Sequence, residues 1–233
     1  MEYAITFEDA VKYIEAFVNH RELETVAREM ALGGTILRQG IYGGIETLVK
    51  DTGNAGWYCL NDENSDFPKL FLSFEENDQY EEDRRLESPV KENLHCPVKA
   101  SVFKYSGDGS TQDIFNLLST HTDKREPISM NINQSEVLSF KTNFLNNSVF
   151  KKYMQVPYGF FENRNHPEVL ELFVNNSNIV YIRYYFGFDE NVDNKIRIIL
   201  IGVDKQGKNI VPEIKSQVLL DDDKILENSW PPK

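Results

Sequence analysis

The sequence predicts an α+β protein made of two tandem related units, each with helices packed on a small antiparallel sheet. Three observations carry this expectation. Residues 181–207 read as two matched apolar strands, amphipathic helical stretches open both halves, and an acidic loop motif occurs twice.

In the strand pair, YIRYYFGF from residue 181 is followed by KIRIILIGV from residue 195. Pairing even with even sets Phe188 against Ile196, Phe186 against Ile198, Tyr184 against Leu200 and Ile182 against Gly202. The other face then pairs Tyr185 with Ile199, Arg183 with Ile201 and Tyr181 with Val203. A one-residue slip would put Phe186 against Arg197 and mix the faces, so the even register is favoured. Both faces are largely apolar, which marks a central hairpin. Asp204-Lys205-Gln206-Gly207 is a tight turn with Gly207 in the left-handed position, leading to a third strand near residues 209–211.

Earlier in the chain, Thr6 is an N-cap with Asp9 three residues on. Phe7, Ala10, Val11, Ile14, Phe17 and Val18 recur at helical spacing behind it. A second helical stretch, 23–32, is expected to stop at Gly33-Gly34, with a glycine-rich connection through Gly40, Gly43 and Gly44 and a short helix at 45–50. Glycines 53 and 56 break that helix before a strand at 57–60, a polar loop, and a strand at 69–74. The charged stretch 75–93 reads as exposed and 98–105 as strand. A turn at 106–110 precedes a helix at 113–119, with Thr111 as its cap. A helix at 132–147 opens with Ser135 and carries Val137, Leu138, Phe140, Phe144 and Leu145; Pro157 and Gly159 punctuate the chain after it, and Pro167 opens a helix at 168–175.

The repeated motif is Asp62-Glu63-Asn64-x-Asp66 and Asp189-Glu190-Asn191-x-Asp193, an offset of 127 (189 minus 62). The same shift sets Ile5 on Ile132, Tyr13 on Phe140 and Phe17 on Phe144. Removing one loop residue also aligns Lys69-Leu70-Phe71-Leu72 with Lys195-Ile196-Arg197-Ile198. The polar run THTDKREP supplies a linker, giving units at 1–120 and 131–233 joined by 121–130.

A net charge of -12 repels phosphate backbones and anionic membranes and suits a basic protein partner. The start of the chain lacks a basic segment followed by an apolar one, and no run approaches the ~18 apolar residues of a membrane span, so a cytoplasmic protein is expected. Two cysteines, Cys59 and Cys96, make no disulfide framework.

For chemistry, Asp189, Asn191 and Asp193, and likewise Asp62, Asn64 and Asp66, have the 1, 3, 5 spacing of oxygen ligands in a calcium loop. The sixth-place glycine is replaced by Asn194 and Phe67, and the twelfth-place glutamate by Leu200 and Ser73, so solvated hairpin loops are expected instead. His95-Cys96 are adjacent, and His20, His121 and His166 are scattered, so no zinc signature exists. Cys59, on a strand, reads as an inert buried thiol, although a triad with a distant histidine such as His121 stays open. The glycine-rich stretch lacks the residues of a phosphate loop, and no cofactor is expected. Arg183 is the single charge on a face otherwise holding Tyr181, Tyr185, Ile199, Ile201 and Val203. Burial there demands a carboxylate or a ligand, which makes Arg183, Tyr181 and Tyr185 the candidate ligand-binding group; an internal ion pair or a side chain reaching the sheet edge is the alternative. Gly56 stands at the equivalent position of the first unit.

The strand IRYYFG followed by ILIGVDKQGKN resembles a family of uncharacterised small Bacteroidota-type bacterial proteins that read R-x-Y-x-G and then G-V-D-x-x-G. The resemblance spans roughly 40 residues of ordinary strand and turn chemistry. It implies no activity, and the Cys-Pro-Pro ending of those proteins is here Trp230-Pro231-Pro232, without the cysteine. The function expected from these observations is a non-catalytic acidic binding protein, an inhibitor or immunity-type partner of a basic protein. The alternative is an enzyme with a cleft between the units that uses carboxylates and Arg183.

Overall fold

The computed structural model describes residues 4–37, 53–61, 70–76, 102–123, 134–153, 158–162, 176–191, 195–211 and 225–227, and the statements below concern these. Helix α1 (Phe7–Asn19) forms because Thr6 holds an extended conformation and its hydroxyl accepts from the Asp9 N–H, satisfying one of the donors a helix start leaves open. The Thr6 hydroxyl in turn donates to the Asp9 carboxylate at 2.8 Å. Every apolar position read from the spacing, from Phe7 to Val18, is buried.

Nine strands make two antiparallel sheets. They are β1 (Ala4–Ile5), β2 (Gly33–Leu37), β3 (Gly53–Leu60), β4 (Leu70–Glu76), β5 (Val102–Phe103), β6 (Tyr158–Glu162), β7 (Tyr181–Asp189), β8 (Lys195–Val203) and β9 (Ile225–Glu227). The larger sheet runs β1-β9-β8-β7-β2-β5 and the smaller β4-β3-β6. The remaining described helices are α2 (Thr111–Thr120), α3 (Gln134–Asn146) and the short α4 (Phe150–Tyr153), with a π-helical turn at Val26–Met30.

The β7–β8 register is the even one throughout, from Tyr181↔Val203 to Asp189↔Lys195. The hairpin is central: β2 flanks β7, and β9 flanks β8. Ile182, Tyr184, Tyr185, Phe186, Ile199, Leu200 and Ile201 are inaccessible to solvent. At about 1.5–3 kcal/mol for each large apolar side chain buried, this pair is the main apolar anchor of the sheet.

Several local expectations are corrected. Gly33 and Gly34 open strand β2 and do not end a helix into a loop. A Cβ on Gly33 would strike the Tyr184 carbonyl, and one on Gly34 the Tyr184 ring, so glycine there lets β2 lie directly on β7. Gly53 and Gly56 lie inside β3, Pro157 and Gly159 border or lie in β6, and the N-cap of α2 is Ser110, whose hydroxyl accepts from Asp113 N–H. Ser135 lies inside α3. Gly207 takes the left-handed conformation at φ 79°, as the turn requires, but the chain beyond it makes only single bridges, Asn209 to Val203 and Thr122 to Lys208. Gly40, Gly43, Gly44, the helices expected at 45–50 and 168–175, residues 77–101 with Cys96, and most of the 121–130 linker lie outside the described residues.

One apolar core joins the two sheets. Tyr58 of β3 packs on Phe186 of β7 with ring centroids 5.7 Å apart, and Leu72 N–H reaches the Tyr184 hydroxyl at 3.4 Å. Helix α1 packs against β7, with Phe17 on Phe186, while α3 packs against β3, with Phe144 stacked on Tyr58. Among the described residues no helix is long and apolar enough to cross a membrane.

Candidate functional site

Arg183 sits mid-strand on β7 and is fully buried. Its Nε donates to the Thr35 hydroxyl of β2 at 2.9 Å, placed there because Thr35 is its cross-strand neighbour. Nη1 donates to Asn209 Oδ1 at 2.6 Å and to the His121 carbonyl at 3.4 Å, and Nη2 donates to the Gly207 carbonyl at 3.0 Å. The expected carboxylate is thus absent from its described partners, and the side chain does not reach the sheet edge. Neutral oxygens and the C-terminal end of α2, whose cap is His121, stabilise the charge, since a helix C-terminus carries partial negative charge.

Asn209 connects this cation to Tyr185. Its Nδ2 donates to the Leu118 carbonyl at the end of α2 and to the Tyr185 hydroxyl, both at 2.8 Å. The Tyr185 hydroxyl also lies 2.9 Å from His121 Nδ1. Because that hydroxyl accepts from Asn209, its own hydrogen is available for the imidazole nitrogen, so this arrangement suits His121 with an unprotonated Nδ1. Burial pushes the Tyr185 hydroxyl above the ordinary phenol range, with the Arg183 charge and the Asn209 bond pulling it back. The Phe103 ring closes the cluster edge-on against both His121 and Tyr185.

The backbone around the cluster is fixed by the same groups. The Gly207 carbonyl also accepts from Asp123 N–H at 3.0 Å, and Asn209 N–H donates to the His121 carbonyl at 3.2 Å. Residues 121–123 and 207–209 therefore form a cover clamped over Arg183, and the guanidinium holds that cover to the sheet. Chemically the arrangement is an anchor, since the buried guanidinium directs four donor contacts to Thr35, Asn209, His121 and Gly207.

Of the sequence-predicted group, the fold brings Arg183 and Tyr185 together. Tyr181 lies at the strand start on the same face, half-buried opposite Val203, and is not among the hydrogen-bond partners of Arg183. Arg183 is also not the single charge on its face. Arg197 and Asp189 lie further along it, both buried, with Arg197 Nη2 donating to Asp189 Oδ2 at 3.0 Å. The other Asp189 oxygen accepts from Asn191 N–H at 2.9 Å, so this carboxylate already has a cation and a backbone donor. Asn191 is exposed, and Asp193, Asp62, Asn64 and Asp66 lie outside the described residues. Among the described residues, no three His, Cys, Asp or Glu side chains gather as a metal-holding group.

Thr35, His121 and Asn209 were not singled out together from sequence, because they come from three separate segments. The one local signal is Asn209, two residues beyond Gly207 of the turn. Elsewhere Cys59 is fully buried on β3, as its strand position implied, near the Phe71–Phe140 contact. On the same side of the smaller sheet, the buried Lys141 of α3 places Nζ 4.1 Å above the Trp57 ring.

No known protein family, curated protein or solved structure matches the chain.

Proposed function

We propose that the protein is a non-catalytic acidic binding protein, an inhibitor or immunity-type partner of a basic protein, assembled from two related units. The observation that carries this reading is the use of Arg183. A catalytic cleft would need the guanidinium open to substrate, whereas it is buried and bonded to Thr35, His121, Gly207 and Asn209. The net charge of -12 supports a basic partner. So do α1 and the segment before α2, where Glu8 and Asp108 are exposed and Asp9 and Glu15 partly so, against the exposed lysines Lys12 and Lys104.

Two related units are supported by coincident numbering. α1 and α3 start at 7 and 134 and end at 19 and 146, a shift of 127 at both ends. The hairpin pairs Asn54↔Glu76 and Tyr181↔Val203 differ by the same 127, without the loop deletion suggested by sequence similarity. On this reading Gly56 opposite Gly159 occupies the place of Arg183 opposite Thr35, so the polar anchor belongs to one unit only. Relatives that keep one hairpin but lack the corresponding helix of the pair would overturn the relationship.

The binding reading is tested by capture on the immobilised chain from the cells that make it, in parallel with a Glu8→Lys, Glu15→Lys variant. A stoichiometric basic partner, released by salt and held at least tenfold more weakly by the variant, is expected. Absence of a basic partner, or equal retention by the variant, overturns the reading.

A further inference from the structure

Each hairpin is completed by chain from the opposite half. β7 and β8 follow the connector between residues 123 and 134, yet the second neighbour of β7 is β2 and the helix on it is α1, both from before the connector. β3 and β4 precede the connector, yet the second neighbour of β3 is β6 and the helix on it is α3, both from after it. The exchange is reciprocal, and the contacts are close. A Cβ on Gly187 would come 2.9 Å from Tyr13 Cβ, and Phe17 lies on Phe186 with centroids 6.0 Å apart. In the mirror relationship Phe144 stacks on Tyr58 at 5.0 Å and Phe140 meets Phe71 edge-on at 5.6 Å.

We infer that the two halves are an obligate exchanged pair, in which the partner surface of each hairpin is the helix–strand arm of the other half. Arm one is α1 with β2, and arm two is α3 with β6. Without the second half, β3 and β4 would be a two-stranded hairpin, which is marginal in water, and β2 would keep only the two-residue β5 as a described neighbour. Ile14 and Phe17, both at 0% exposure, would lose β7 as their cover. Without the first half, Arg183 would lose the Thr35 hydroxyl and the His121 carbonyl while remaining a charge on an apolar strand. The inference stands on this topology and does not depend on the proposed partner.

The test uses the full chain with a specific protease site placed between residues 123 and 134. After cleavage the fragments are expected to co-elute at the volume of the uncut protein and to unfold in one transition. Separated in denaturant, each alone should show no cooperative transition, and mixing should restore it. Fragments that part under native conditions, or either one melting cooperatively alone, overturn the inference. Should the inserted site itself disturb folding, native-state hydrogen exchange on the unaltered chain decides. The slowest amides of β2 and β3 are expected to open with the same free energy as those of β7 and β8, whereas two opening classes divided at the connector overturn the inference.

Discussion

The Arg183 guanidinium donates to Asn209 Oδ1 across 2.6 Å with both side chains buried, and the same Asn209 donates from Nδ2 to Leu118 and Tyr185. One amide thus supports a buried cation, ends a helix and orients a phenol. The relationship is asymmetric in energy, because a charge left in place after its acceptor is removed costs more than a charge removed with it.

Asn209→Ala is therefore expected to destabilise the protein by about 2–4 kcal/mol, since it leaves Arg183 under-solvated and the Leu118 carbonyl and Tyr185 hydroxyl short of a donor. Arg183→Met should cost less than Asn209→Ala, because it takes the charge away along with its bonds. Urea unfolding midpoints at an unchanged slope would read both effects. The reverse order would mean that the cation is not the group Asn209 serves.

Tyr153 and Glu22 predict a loss of stability in alkali. The Tyr153 hydroxyl donates to Glu22 Oε2 at 2.7 Å and Lys152 Nζ to Oε1 at 2.6 Å. Partial burial and the carboxylate push Tyr153 up to about 12, while the bonds from Lys152 and Tyr153 hold Glu22 below its usual range. A raised folded value means that the contribution is complete below the ordinary phenol pKa near 10 and is lost as pH rises toward 12. Between pH 10 and 12, the window this shift defines, the parent should lose more stability than Tyr153→Phe in chemical denaturation. Parallel curves would remove Tyr153 as the cause.

Gly187 is a close-approach glycine. Gly187→Ala would bring Cβ to 2.8 Å from Ile199 Cδ1 and 2.9 Å from Tyr13 Cβ, forcing α1 and β7 apart. A cost of about 1–3 kcal/mol is expected, with circular dichroism unchanged and the melting temperature lowered. Ile199→Val in the same chain should recover part of the loss by removing the Cδ1 that the new methyl strikes, and a purely additive double variant would contradict the geometry.

Asp189 is expected to behave as half of a buried ion pair. Asp189→Asn should cost about 3 kcal/mol by withdrawing the carboxylate from Arg197. Millimolar calcium should leave the melting temperature of the parent unchanged, because a cation at this oxygen must displace the guanidinium. A calcium-dependent rise that disappears in Asp189→Asn would restore the loop as a cation site.

Much of the local architecture is legible from the residues themselves. Thr6 with Asp9 and the apolar stripe to Val18 mark α1, and the alternation from Tyr181 to Val203 sets the hairpin register, since a slip would exchange buried for exposed faces. Strands such as β2 and β6 are less legible because glycine and proline read as breaks. Gly33 and Gly34 mark close approach to Tyr184, a property of the neighbour and not of the local sequence.

What the sequence determines by itself is which segments form helices and strands of the central hairpin, because hydrophobic period and capping are local. It also exposes Arg183 as a charge needing an explanation. The explanation belongs to the tertiary structure: Thr35, His121, Gly207 and Asn209 reach one guanidinium only after β2, the end of α2 and the turn after β8 have packed together. The exchange of arms between halves is decided at the same level, since a strand edge accepts any strand of compatible register and the choice of partner lies in long-range packing.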